Sequence, residues 1–401
     1  MTFEKYLEYL KYIMDRFHPI GSNEEGGVTR LGYSKEEDLM HWEFMRIAKE
    51  EGFQVETDQV GNSYASLGKY DEYHLVGSHL DSVINGGRYD GVIGVAVGLL
   101  LLKIVKEKAL DIPLKVVAFR CEESSNFMKS TIGSGLIVGE NYEKEFDTLV
   151  SRSGETLREI FAKRGYSQRP KKIRGVKSFL ELHIEQGRIL EEEGLTLGIV
   201  NAIAGNIRLK VNIEGLAEHS GATPMDLRKD ALCCAAEIIL GLESLAKSDK
   251  ESSAVITVGS IYNLPNSVNV IPGKVEFSVD IRDKSNENMQ ELKRKVKKLV
   301  KSISTFRGLD FSIETISNAE AVVLDSDLNK ELVKIAENLN IKNKVMPSGA
   351  GHDAMKMAKI TRTGLIFIPC KEGISHNPRE SARLEDAVYG GMVILDYLRS
   401  S

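Results

Sequence analysis

Cysteine is scarce in this chain, with four among 401 residues. Cys121, Cys233, Cys234 and Cys370 show no metal-binding spacing, and the adjacent Cys233 and Cys234 are poorly placed to pair with each other. Reduced, buried thiols of a cytoplasmic protein are the plain account. Basic charge is not in excess either. Lys and Arg number 53 against 58 Asp and Glu, for a net charge of −5, so no basic field draws the chain to nucleic acid or an anionic membrane. No uncharged run is long enough to span a bilayer. The first residues, 1–17, mix Glu, Lys, Asp and Arg with aromatics and lack the apolar core of a signal peptide. Together these absences lead to the expectation of a cytoplasmic protein with neither nucleic acid nor membrane as a partner. What remains is ordinary for a globular protein, 42% apolar and 28% charged residues. The length suits two domains.

The pattern of the chain predicts how these are laid out. Residues 3–17 and 34–51 read as helices, the second with Ser34 as N-cap and Glu37 completing a capping box. Short strands are predicted at 53–58, 63–67, 73–76 and 114–119, with a helix over 91–108 between the last two. Charged helices around 139–165 and a basic loop at 171–177 read as solvated surface. A strand-like alternation covers 179–187, with a helical turn after it. From 207 the pattern changes. Ile207, Leu209, Val211 and Ile213 alternate with polar residues, and Val275, Phe277, Val279 and Ile281 do so again. With helices at 227–246 and 286–304 and strands at 254–262 and 309–316, the order is β-α-β-β-α-β, the ferredoxin-like arrangement. The expectation is therefore a larger α/β domain with a mixed central sheet, formed by 1–206 and 319–401. Residues 207–318 form an inserted ferredoxin-like α+β domain. In the second part of the larger domain a helix is predicted at 328–339, a strand at 364–369 and a closing helix at 384–398.

Chemistry concentrates in Gly77-Ser-His-Leu-Asp-Ser and Gly87-Arg-Tyr-Asp-Gly, which follow a buried strand. His79 and Asp81 sit two apart, so extended backbone puts both side chains on one face. A carboxylate there can hold the imidazole while its other nitrogen binds a metal. Asp90, at the mouth of the following helix, can approach the same point. A polar strand-to-helix loop with no ligand accounts for this stretch alone equally well. The wider pattern is stronger. His79, Asp90, Glu122, Glu123, His183 and His376 all fall at or just after predicted strands, where open α/β sheets place their ligands. Imidazole and carboxylate without thiolate suit zinc, or manganese and its neighbours. A carboxylate such as Asp90 can bridge a metal pair, which acidifies a water and clamps a tetrahedral intermediate. A carboxylate off the metals would be the general base, and Glu122 and Glu123 could divide those two roles. None of this fixes a reaction.

The chain resembles the M20 family of metal-dependent amidohydrolases and peptidases, nearly end to end. The branch it is similar to is that of the N-carbamoyl-L-amino acid hydrolases and allantoate amidohydrolases. The resemblance rests on the two stretches above, on Glu122-Glu123, Glu181-Leu-His-Ile-Glu-Gln-Gly and His219-Ser-Gly-Ala-Thr-Pro-Met. Pro265-Asn-Ser-Val-Asn, Ser348-Gly-Ala-Gly-His-Asp-Ala and Gly373-Ile-Ser-His-Asn-Pro complete it. Two positions depart from the branch. Asn126 stands where an arginine is usual before the phenylalanine, and Arg188 where a proline is common.

The resemblance implies two divalent ions per subunit, with zinc first and manganese, cobalt or nickel as alternatives. It makes Asp90 the bridge, with His79 and His183 on one ion and Glu123 and His376 on the other. Glu122 would be the base, Asp81 would orient His79, and His219 on the inserted domain would stabilise the oxyanion. Gln186, Asn269, Arg282, Gly349 and Gly351 would hold the substrate, Arg282 by its carboxylate, which a guanidinium matches bidentately. Read without the resemblance, Arg282 is a surface salt bridge and His219 a loop or capping histidine. The inserted domain would act as a lid and pair two chains into a homodimer. The implied reaction is hydrolysis of linear amides other than peptide bonds. N-carbamoyl-L-amino acids come first as substrates, giving the amino acid, ammonia and carbon dioxide. Allantoate or another ureido acid, an aminoacylase or dipeptidase substrate, and a non-catalytic metal-binding assembly protein are the rivals.

Overall fold

The computed structural model describes residues 2–248 and 254–401; residue 1 and residues 249–253, which fall within the expected domain ranges, lie outside the described residues. The chain divides into two compact units, Met1–Asn201 with Leu324–Ser401, and Ala202–Val323.

The first unit is built on a mixed sheet, as the pattern predicts. Four neighbouring strands, Leu114–Phe119, Tyr73–His79, Val176–Ile184 and Arg362–Ile368, run parallel in that spatial order. Antiparallel strands flank them, Gln54–Thr57 and Ser63–Ser66 on one side and Leu197–Ile203 on the other. Asn343–Ser348 also pairs with Leu197–Ile203. Neither of these last two strands is legible in the pattern. Because the four central strands are parallel, their carboxyl ends lie along one edge of the sheet.

The helix Val92–Glu107 reads VIGVAVGLLLLKIVKE and is buried on nearly every side. A helix apolar all round belongs inside a protein. It packs on the central strands and beneath Phe3–Phe17 and Leu384–Ser400. Leu99, Leu100, Leu101 and Leu102 are almost wholly removed from water, each contributing roughly 1.5–3 kcal/mol. Truncating any one of them to alanine would cost about 2–5 kcal/mol. This slab fixes Gly91, the residue before the helix, and with it the site.

Three local expectations need correction. Ser34 does cap Lys35–Glu50 by accepting the Glu37 N–H, but Glu37 does not turn back to complete a box. Its buried carboxylate accepts the N–H groups of Tyr33 at 2.6 Å and Cys121 at 2.7 Å and pairs with Arg120 at 2.8 Å. A cationic partner inside the protein outcompetes the local contact. The helix expected from 227 begins at Ala231, since Asp230 accepts the N–H groups of Leu232 and Cys233. The thiols are not all buried, because Cys233 is exposed.

The second unit is an antiparallel sheet in the spatial order Asp310–Ala319, Gly205–Glu214, Lys274–Asp283, Val255–Thr257, with Ile261–Leu264 also on Lys274–Asp283. The strand expected over 254–262 is broken into these two pieces. Helices Ala231–Lys247 and Asn286–Phe306 cover the face made by Ile207, Leu209, Val211, Val275, Phe277 and Val279. Among the described residues no helix is long and apolar enough to cross a membrane.

Candidate metal centre

His79 ends one central strand and His183 lies near the end of its neighbour. Glu122 and Glu123 follow Phe119, the end of another, and His376 follows Arg362–Ile368. Parallel strands thus deliver all five to one edge, and the loop before Val92 brings Asp90 to them. Asp90 Oδ1 is 2.9 Å from His183 Nε2 and 3.6 Å from His79 Nε2. Its Oδ2 is 3.2 Å from His376 Nε2, which is 3.1 Å from Glu123 Oε1. One carboxylate therefore faces two donor groups, His79–Asp90–His183 and Asp90–Glu123–His376. Bonds of about 2.0–2.1 Å to a tetrahedral ion set neighbouring donors about 3.3 Å apart, a separation that these distances bracket. The nitrogen and oxygen donor set fits divalent ions of the zinc or manganese type.

Glycine is needed at the hinge of this arrangement. Gly91 has φ +67°, and a Cβ there would lie 2.4 Å from the His79 ring. Three non-glycine residues at or beside the candidate ligands also sit in the left-handed region: Cys121 at +53°, Gln186 at +59° and His376, itself a candidate ligand, at +55°. Such conformations persist where the surroundings enforce them, often at functional sites.

The electrostatics follow from burial and charge. Burial raises the Asp90 carboxyl, but His183, His376 and His79 outweigh it and hold it well below the usual carboxylate range. Burial works against protonating His376, yet Asp90 and Glu123 push it up to about 11. These are sites where cations are favoured. Glu122 behaves in the opposite way. Burial, with Glu123, Asp353 and Asp81 nearby, pushes it well up despite His79, the direction in which a catalytic carboxylate is tuned. Among the described residues Glu122 belongs to none of the metal-capable groups.

The carboxylate of Asp81 is 3.3 Å from His79 Nδ1 and accepts the N–H groups of Glu122 and Glu123, each at 3.0 Å. Gln186 donates to Asp90 Oδ2 at 2.8 Å, and its own oxygen is buried without a partner. Gly349 and Gly351 are exposed on the loop after Asn343–Ser348, and nothing lies within 4 Å of a Cβ built at Gly349.

The remaining expected residues lie in the second unit. His219 and Asn269 are neighbours there, through a bridge between His219 and Val270 and a bond from Ser220 N to the Asn269 carbonyl at 3.0 Å. Arg282 is elsewhere. It lies near the far end of Lys274–Asp283, its guanidinium 3.2 Å from Asp280. At 3.3 Å per residue it is about 26 Å along the strand from the end where His219 and Asn269 meet.

Several buried polar groups around the candidate ligands carry no role in the sequence reading. His352, held neutral by burial and by His183, lies edge-on to the His183 ring at 4.6 Å. Glu181 accepts from Ser78 and from Ala354 N and with His183 and His352 makes a third metal-capable group. Glu380 accepts the N–H groups of Tyr89 and Asp90. Glu181 and His352 lie inside quoted motifs, but Glu380 lies just beyond one, and only its position four residues after His376 marks it.

Peptidase family M20/M25/M40 matches residues 75–400. The chain is 37% identical to an N-carbamoyl-L-amino-acid amidohydrolase of Pseudomonas sp. (strain NS671) over 411 residues, 97% of each chain. It is 35% identical to an allantoate amidohydrolase of Bacillus subtilis (strain 168) over 392 residues, 94% of this chain and 93% of that one. The solved structure of an amidase of the hydantoinase/carbamoylase family from Burkholderia multivorans superposes with a TM-score of 0.87 at 30% identity, covering 98% of this chain and 97% of that one.

Proposed function

The chain belongs to peptidase family M20/M25/M40, and from that premise we propose that it is a metal-dependent amidohydrolase that cleaves the carbamoyl C–N bond of N-carbamoyl-L-amino acids. What supports the metal-dependent part is Asp90, with one oxygen toward His79 and His183 and the other toward His376, beside Glu123; what supports the carbamoyl substrate is the likeness to the N-carbamoyl-L-amino-acid amidohydrolase. The chemistry two divalent ions supply when bound is acidification of a water and polarisation of a carbonyl oxygen. Asp90, His79, His183, Glu123 and His376 would hold them, with zinc first by donor type. Glu122 takes the proton of the attacking water and passes it to the leaving nitrogen. The Gln186 oxygen, buried without a partner, accepts a ureido N–H. Gly349 and Gly351 offer exposed backbone to the substrate. His219 donates to the oxyanion, and Asn269 and Arg282 hold the substrate carboxylate.

The second unit supplies a reason for a homodimer. A carbamoyl amino acid is far shorter than the roughly 26 Å of strand between Arg282 and the His219–Asn269 end. If both serve one substrate, they come from two chains. The open edges of the five-stranded antiparallel sheet offer a pairing surface.

Allantoate is the second reading, favoured by the allantoate amidohydrolase relative at 35% identity. Ammonia release from carbamoyl amino acids, their amides, allantoate and dipeptides separates the readings. Carbamoyl amino acids should react fastest and their uncharged amides far more slowly. Arg282→Ala should erase most of that difference. Preference for dipeptides, or for the amides, overturns the proposal.

A further inference from the structure

The loop that carries His376 also grips Asp90 from behind. It is closed at its base by the bridge between Cys370 and Ala382 and by a bond from Lys371 N to the Ser381 carbonyl at 2.7 Å. Glu380 is buried at 5% exposure. Its Oε1 accepts two main-chain N–H groups, from Tyr89 at 2.8 Å and Asp90 at 3.1 Å. Its Oε2 is 3.1 Å from the Ser375 hydroxyl, which is 2.9 Å from Asp90 Oδ2. Asp90 is thus held at its main chain by Glu380 and at its carboxylate by Ser375, the residue before His376. The fit leaves no slack. A Cβ at Gly87 would lie 2.1 Å from the Glu380 carboxyl carbon.

We infer that Glu380 and Ser375 are positioning residues that form a strut between the 370–382 loop and Asp90, setting the distance between the carboxylate shared by the two donor groups and His376. This rests on the reading of Asp90 as a bridge between two ions. Without the strut, Asp90 Oδ2 loses the Ser375 hydroxyl on the side that faces His376, so the Asp90–Glu123–His376 group loses its spacing first; His79 and His183, set on their own strands, keep theirs relative to each other. The strut acts on ion binding and touches no substrate.

The test is zinc binding by the full chain, measured by competition with a chromophoric chelator, with the visible spectrum of the cobalt-loaded protein as a second readout. Glu380→Ala should weaken one of two zinc ions by about 10–100-fold, the usual effect of removing a residue that orients a ligand. Glu380→Gln keeps an oxygen for both N–H groups and should stay within about threefold of wild type with an unchanged cobalt spectrum. Ser375→Ala should weaken the same ion as Glu380→Ala, by less. Wild-type zinc affinity in Glu380→Ala overturns the inference, as does a Glu380→Gln protein that is as impaired as the alanine variant. If Glu380→Ala does not fold, unchanged zinc affinity in Ser375→Ala overturns it. A wild-type chain that binds fewer than two ions, or an Asp90→Asn chain that keeps two, instead overturns the bridging reading beneath it.

Discussion

Asp81 holds Glu122 by its main chain: one carboxylate oxygen accepts the Glu122 N–H at 3.0 Å, the other accepts that of Glu123 at 3.0 Å, and the same carboxylate lies 3.3 Å from His79 Nδ1. One side chain therefore sets a proposed ligand on one strand and a proposed base and ligand on the next. Asp81→Asn would turn an amide N–H₂ toward one of these donors. The expected result is a folded protein whose zinc affinity falls about 10–100-fold, measured by chelator competition.

The neighbouring glutamates divide by environment. Glu122→Gln should keep its metal and lose turnover by roughly a hundredfold or more, as loss of a general base does. Asp90→Asn should lose metal as well as activity. Metal content by elemental analysis, set beside ammonia release, checks both. Equal metal loss in the two variants would make Glu122 a ligand.

The separation of Arg282 from His219 and Asn269 bears on assembly. Glu122→Gln and His219→Ala chains should each be inactive. Mixed and allowed to exchange, they should regain up to about a quarter of wild-type activity, since random pairing makes half heterodimers, each with one intact site of two. A mixture that exchanges by mass yet stays inactive places His219 in its own chain's site or in none.

Stability should depend on His74. Burial, and to a lesser degree Lys177, brings its pKa down to about 4. The ring lies 2.8 Å from the Ser178 hydroxyl and edge-on to Tyr397. The unfolded chain therefore takes up a proton near pH 6.5 that the folded chain refuses. The stability from a neutral His74 is full above that pH and lost as pH falls through 6.5 toward 4. By pH 5 the loss is about 2 kcal/mol. Denaturant melts of wild type and His74→Gln between pH 7.5 and 5 should differ in slope by that amount, with the variant flatter.

Much of this protein is decided locally. Val92–Glu107 is apolar all round and therefore buried whatever surrounds it. The alternations at Ile207–Ile213 and Val275–Ile281 put one face of each strand in the core, because side chains alternate with period two. The residues that meet at the candidate metal centre are legible as types and as positions after strands, since parallel strands can deliver them only to one edge. Tertiary structure decided what depends on partners distant in sequence. Glu37 abandons its cap for Arg120, 83 residues away. Glu380 reaches Asp90, 290 residues away, and no spacing along the chain encodes that meeting. Leu197–Ile203 becomes a strand through its neighbours in the sheet. Arg282 is parted from His219 by the length of a strand that only pairing defines. Hydrophobic period is a property of neighbouring residues, whereas charge pairing and ladder formation are settled between segments that meet only when the core closes.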